Sequence, residues 1–155
     1  MGRNLVRVFF LSAGVLLLLT AAAKLLSASG TMGILDYPDP VFLISYRHEL
    51  PLVAFIELAV AFGCFFGQKI ALRAITVASL SSAFMVYRVA AFMIGPDRVC
   101  PCLGTLTQTL HIDPKTANTA MLIILGYLFC GSYGILFWLR RQPADGLQMS
   151  EVAVA

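Results

Sequence analysis

Four stretches of this chain, Leu5–Leu26, Pro51–Gly67, Ile70–Gly95 and Ala117–Leu139, are apolar over lengths that match a bilayer. A hydrocarbon core about 30 Å thick takes about 20 helical residues. Lipid cannot satisfy backbone polar groups, so such stretches must be helices or strands of a closed barrel. These runs are continuously apolar and do not alternate, which excludes barrel strands. Composition agrees: 59% of residues are apolar and 12% charged, against about 45–50% and about 25% in soluble domains. That balance excludes a soluble enzyme and a disordered chain. A net charge of +3 without a basic run excludes a nucleic-acid binder. The expected fold is all-α, a polytopic bundle of four transmembrane helices over residues 1–141. A disordered tail is expected over residues 142–155.

Local chemistry marks the ends of the spans. Pro51 suits the first turn of the second helix, and Gly67-Gln68-Lys69 makes a short turn into the third. Gly95-Pro96 stops the third helix. Asp113-Pro114 reads as an N-cap followed by a proline at the first helical position. Arg3 and Arg7, the run Val8–Ala23 and Ser27-Ala28-Ser29 also fit a secretory signal with a small-residue cleavage site. The length of the run and the interruption at Lys24 favour a retained first span. Gly63 and Gly67, with Ala78, Ser81 and Ser82, are expected to let helices approach closely. Tyr37, Phe42, Tyr46, Tyr133 and Trp138 are expected at the lipid interface or facing lipid.

The basic residues divide unevenly between the two sides. Arg3, Arg7, Lys69, Arg73, Arg140 and Arg141 fall on one side, and Arg47, Arg98 and Lys115 on the other. The positive-inside rule places both termini and the short middle turn in the cytoplasm of a cell (inner) membrane protein. The loops Ser27–Leu50 and Pro96–Thr116 then face outward.

Four cysteines fall into two classes. Cys64 and Cys130 lie within spans, where a thiol packs as a small apolar group. Cys100 and Cys102 lie in the outward loop, in Cys100-Pro101-Cys102-Leu103-Gly104. An extended i, i+2 pair sits at or beyond the upper end of the about 4.4–6.8 Å Cα separation of a disulfide. The chain must therefore fold sharply, helped by Pro101 and Gly104. Strained, exposed disulfides are the labile ones, and so short a loop would gain little as a staple. The spacing thus favours a redox-active pair over a structural one. A soft-metal site remains an alternative: zinc wants four ligands, His111 is the nearest third, and copper(I) needs fewer.

Charge inside the spans is the remaining signal. Lys24, Glu57 and Arg88 should all lie within roughly 3–11 Å of the outer boundary, at about 1.5 Å of rise per residue. Topology gathers one acid and two bases beneath the cysteine loop. Such a cluster either fixes helix packing or tunes the loop's chemistry. His48 is read as a solvated loop residue, with proton transfer as the alternative.

Lys24-Leu25 at the end of the first span, Glu57 in the second, Tyr87-Arg88 late in the third and the Cys-x-Cys-x-Gly motif resemble the MauE/DoxX group of small redox-associated membrane proteins. The resemblance covers roughly residues 5–140, and Leu103 stands where the group commonly has phenylalanine. It implies a four-helix membrane bundle. It also implies a role in maturing exported disulfide-containing proteins, alongside periplasmic thioredoxin-like partners. Methylamine utilisation is the setting of the MauE member, and other relatives are linked to quinone-coupled sulfur oxidation. The expected function is a membrane thiol–disulfide factor using Cys100 and Cys102, with Lys24 and Arg88 favouring the thiolate. The alternatives are a quinone-linked oxidoreductase, with quinone as its cofactor, and a non-catalytic scaffold or small carrier. Membrane lipid is the expected surrounding partner.

The charge distribution makes a direct prediction. A membrane-impermeant thiol reagent, applied to intact cells after reduction, labels Cys100 or Cys102 and leaves Cys64 and Cys130 unlabelled. Labelling of the loop cysteines only after lysis overturns the orientation.

Overall fold

A computed structural model describes residues 3–29, 38, 39, 41, 44–94 and 114–141. Four helices account for nearly all of them: α1 Arg3–Ala28, α2 Tyr46–Phe66, α3 Ile70–Ile94 and α4 Pro114–Arg140. The described residues contain no strand, only an isolated bridge between Pro38 and Ser45. Helix lengths of 26, 21, 25 and 27 residues correspond to about 32–41 Å, enough to cross a bilayer. All four are apolar enough to do so, which makes the chain a multi-pass membrane protein.

The helices pack because each carries a buried stripe with steps of three and four residues. On α1 the stripe runs through Val6, Phe10, Ala13, Leu17, Ala21 and Lys24. On α2 it is Leu50, Ala54, Glu57, Ala61 and Cys64, and on α4 Leu125, Leu128, Ser132, Ile135 and Leu139. This is the seam spacing of nearly antiparallel helices packed knob into hole. Lys24 and Glu57 fall on their seams by register, so their burial follows from the same periodicity that buries alanine and leucine. The outer faces remain apolar: Leu5, Val8, Leu19, Phe55, Phe66, Val86 and Ile123 are exposed. That pattern suits lipid as the surrounding solvent.

The closest partnerships are α1 with α2 and α3 with α4. Small seam residues explain the first, since Ala13, Ala21, Ala54 and Ala61 are fully buried. Glycine allows two further approaches. A Cβ on Gly14 would lie 2.7 Å from Phe65 of α2, and one on Gly131 would lie 2.1 Å from Phe9 of α1. Gly63, in contrast, faces open space, so the expected Gly63/Gly67 contact does not form between helices. Gly67 instead lies in the turn, and its amide donates to the Gly63 carbonyl at 2.9 Å. Ala78 and Ser81 are buried as expected, while Ser82 and Tyr133 share a hydrogen bond of 2.9 Å between α3 and α4.

Two expected boundaries move. The second helix begins at Tyr46, so Tyr46–Leu50 leave the predicted loop and Pro51 lies inside the helix. The Ser45 carbonyl accepts from the amides of His48 and Glu49 at 3.0 and 3.2 Å, which starts the helix upstream. Pro51, the sixth residue of the helix, then forgoes the ladder bond to the Arg47 carbonyl. The fourth helix begins at Pro114, as a first-turn proline allows.

The aromatic expectations divide. Trp138 packs against the core, Tyr46 is half-buried at the edge of an open cavity, and Tyr133 is exposed but tied to Ser82. Tyr37 and Phe42 lie outside the described residues, as do residues 142–155. Cys64 is buried and Cys130 exposed. The packing reading therefore fits the first, whereas the second sits on an outer face of α4.

Gly131→Ala should destabilise the bundle by about 1–3 kcal/mol, the usual cost of overpacking. The same substitution should cost less in a Phe9→Ala background, itself destabilised by loss of a core ring, because the new methyl then meets no ring. Thermal unfolding of the purified variants in detergent measures both effects.

Candidate functional site

At the end of the bundle opposite the Gly67-Gln68-Lys69 turn, the four helices gather a polar cluster. Lys24 Nζ lies 2.6 Å from Glu57 Oε1. The Lys24 and Glu57 side chains are only 5% and 2% exposed. Side chains lean toward the N-terminus of their own helix. Because α1 and α2 run in opposite directions, Lys24 leans into the bundle and Glu57 leans up to meet it. Thr20 Oγ1 donates to Glu57 Oε2 at 3.3 Å, so both carboxylate oxygens are engaged. The Lys24 ammonium also sits 5.5 Å from the centroid of the Phe84 ring.

Arg88 is not drawn into that pair. Its guanidinium donates to the Asn118 side-chain carbonyl, joining α3 to α4 near the two ends of the segment that carries Cys100 and Cys102. Arg88 lies six residues before the end of α3, and Asn118 four residues after the start of α4. Lys24, Glu57 and Arg88 nonetheless share the wall of one small cavity of about 60 Å³, with Thr20, Tyr87 and Met121. Glu57 lies deeper than the sequence suggested. It is eleven residues from the start of α2, about 16 Å of helix, because α2 extends upstream of Pro51.

A second group was not singled out by sequence. Asp39 is fully buried. Its Oδ2 accepts from the Tyr87 hydroxyl at 2.5 Å, and its Oδ1 accepts from the Val41 amide at 2.7 Å. The Asp39 amide donates to the Ile44 carbonyl at 2.8 Å. The aspartate thus makes a side-chain turn that folds the α1–α2 connection down onto α3. Its position between Pro38 and Pro40 was the available signal, a turn residue with both neighbours fixed in φ. Glu49, at the same end of α2, has a buried Oε2 without a hydrogen-bond partner among the described residues. His48 is exposed, in keeping with the solvated reading.

Beside this group opens a large, mostly apolar cavity of about 520 Å³ between α2 and α3. Ile56, Val60, Ile75 and Leu80 line its apolar length, and Lys24, Tyr46, Glu49 and Tyr87 give it a polar end. Lys24, Phe84 and Tyr87 border both cavities.

Cys100, Cys102 and His111 lie outside the described residues. Among the described residues no group of His, Cys, Asp or Glu is arranged to hold a metal ion. Comparisons with protein-family models, curated proteins and solved structures give no match.

Removing one member of the buried pair leaves a charge uncompensated in an apolar interior, at a typical cost of about 3–5 kcal/mol. Glu57→Ala should therefore sharply lower the yield of folded protein. Lys24→Met combined with Glu57→Leu should restore much of it, because neither charge then remains. Fluorescence-detected size exclusion of tagged variants separates these outcomes.

Proposed function

We propose that this protein is a membrane thiol–disulfide factor of MauE/DoxX character, acting on exported proteins through Cys100 and Cys102. The reading places the cysteine loop on the outer side, both termini in the cytoplasm, and a periplasmic thioredoxin-like or disulfide-containing protein as partner. One thiolate attacks a partner disulfide and releases a partner thiolate. The second cysteine then displaces the remaining partner sulfur, leaving Cys100 and Cys102 as a disulfide and the partner as a dithiol. The reverse sequence oxidises the partner.

The observation that carries this reading is the Arg88–Asn118 bond, which clips together the helix ends flanking the cysteine segment. It holds a cation at the base of that segment whose hydrogen-bond partner is a neutral amide. Lys24, in contrast, is compensated by Glu57, so of the two bases Arg88 is the one that would favour a thiolate.

The cavity between α2 and α3 favours a second reading, in which the cysteine pair passes electrons to a quinone. Oxidising the dithiol to a disulfide releases two electrons and two protons, and both pairs reduce one quinone to a quinol. An apolar slot with hydroxyl and carboxyl groups at one end suits such a molecule.

Either single Cys→Ser variant at positions 100 and 102 should lose function as fully as the double variant, because the two act as one unit. The variant lacking the resolving thiol should accumulate a reducible adduct with a partner, visible on non-reducing gels. Full function in both single variants, with no adduct, refutes the redox reading and leaves a scaffold or small carrier. Reoxidation of the pair that depends on added quinone in proteoliposomes selects the second reading.

A further inference from the structure

The other end of the bundle holds a polar feature that the redox reading does not use. A cavity of about 160 Å³ lies between the ends of three helices, lined by Arg7, Phe10 and Leu11 of α1, Cys64 and Phe65 of α2, and Arg73 of α3. Its two charged walls are both arginines. Arg73 Nε is buried and has no hydrogen-bond partner. The Arg73 guanidinium carbon sits 5.9 Å from the Phe10 ring centroid. A Cβ on Gly67 would come within 3.0 Å of Arg73 Nε, so the glycine turn lets the arginine stem lie flat against it. The guanidinium is thus positioned by packing, and its buried donor is left open.

Charge decides what that donor awaits. The described acids, Asp39, Glu49 and Glu57, all belong to the opposite end, and Asp145 and Glu151 lie outside the described residues. No described carboxylate pairs with Arg7 or Arg73, since the one salt bridge among the described residues is Lys24–Glu57. A buried guanidinium N–H without an acceptor is costly, and two arginines facing one cavity repel each other. An anion resolves both problems. Guanidinium groups match phosphate oxygens in planar, two-point geometry. The depth also fits a lipid headgroup. Arg7 and Arg73 stand four and three residues inside the starts of their helices, about 5–6 Å from the ends, in helices longer than the about 30 Å hydrocarbon core.

We propose that this cavity is a binding site for a phosphate-type oxyanion, such as the headgroup phosphate of an anionic membrane phospholipid, held between Arg7 and Arg73. Basic pockets between helix ends are a recurrent way of recognising such headgroups.

The test uses the full-length protein, stripped of lipid in a neutral detergent. Binding is followed by the shift in thermal unfolding midpoint on titration with short-chain phosphatidylglycerol, phosphatidylcholine or inorganic phosphate. Phosphatidylglycerol should stabilise at lower concentration than phosphatidylcholine. Arg7→Gln and Arg73→Gln should each weaken its binding about fivefold, from about 1 kcal/mol per basic residue. Arg140→Gln, at the same end but outside the cavity, should leave binding unchanged. Equal response to the two lipids, or binding unaltered by both cavity variants, overturns the proposal. Should Arg73→Gln fail to fold, Arg7→Gln decides alone, because Arg7 is exposed and its loss leaves the core intact. Inorganic phosphate that displaces the lipid at comparable concentration identifies a free anion as the occupant. Phosphate that fails to do so identifies the lipid.

Discussion

The Lys24–Glu57 pair sets the terms for the rest of the bundle. An ammonium and a carboxylate removed from water each carry a desolvation cost of several kcal/mol, and in a membrane neither can turn away to solvent without leaving its seam. They offset that cost only when α1 and α2 stand in one register, with Lys24 and Glu57 2.6 Å apart. A slip of one residue would swing either group about 100° around its helix and out of reach. The pair thus converts a permissive apolar contact, in which alanines and leucines tolerate sliding, into a single alignment. Thr20 engages the second carboxylate oxygen, and the Phe84 ring brings α3 against the ammonium.

That alignment explains where the bundle is tight and where it is open. α1 and α2 are locked by the pair and by fully buried alanines. α3 and α4 are joined by Arg88–Asn118 and Ser82–Tyr133. Between these two units the connection is short, only Gly67, Gln68 and Lys69, yet α2 and α3 touch far less than either locked pair. The turn holds their ends together on the arginine side. Toward the other end the space between the α2 residues from Val60 back to Tyr46 and the α3 residues from Ile75 on to Tyr87 is left unfilled, which is the cavity of about 520 Å³. Deleting this volume with a bulkier side chain, such as Ser79→Phe, would not touch the ion pair.

The parts of this arrangement that sequence revealed are those governed by hydropathy and periodicity. Four long apolar runs dictate four helices, and a lone lysine and a lone glutamate inside them stand out because lipid penalises charge. What sequence withheld depends on neighbours distant along the chain. Gly14 and Gly131 look like any glycine in a span until Phe65 and Phe9 are placed against them. Asp39 reads as a loop residue between prolines, and its burial appears only when the loop folds onto Tyr87. Pro51 marked a helix start because proline favours first turns, but the Ser45 carbonyl captures two amides upstream, and the helix runs through the proline. The cysteine segment was legible as a motif, and its helix stems acquire a specific clip only in three dimensions.

The two ends of the molecule carry opposite electrostatic problems, and the same span length produces both. Helices slightly longer than the hydrocarbon core bring their terminal turns to headgroup depth. At the loop end, two buried carboxylates are held by hydrogen bonds: Tyr87 and the Val41 amide on Asp39, Lys24 and Thr20 on Glu57. At the arginine end no described carboxylate pairs with Arg73, and the described residues supply only a ring face beneath it. A ring quadrupole attracts a cation but accepts no strong hydrogen bond at a buried Nε. Each end thus keeps one buried polar atom without a partner among the described residues, Glu49 Oε2 at the loop end and Arg73 Nε at the arginine end, and they differ in kind: the first is an acceptor, whereas the second is a donor for which the proposed lipid phosphate would be the acceptor.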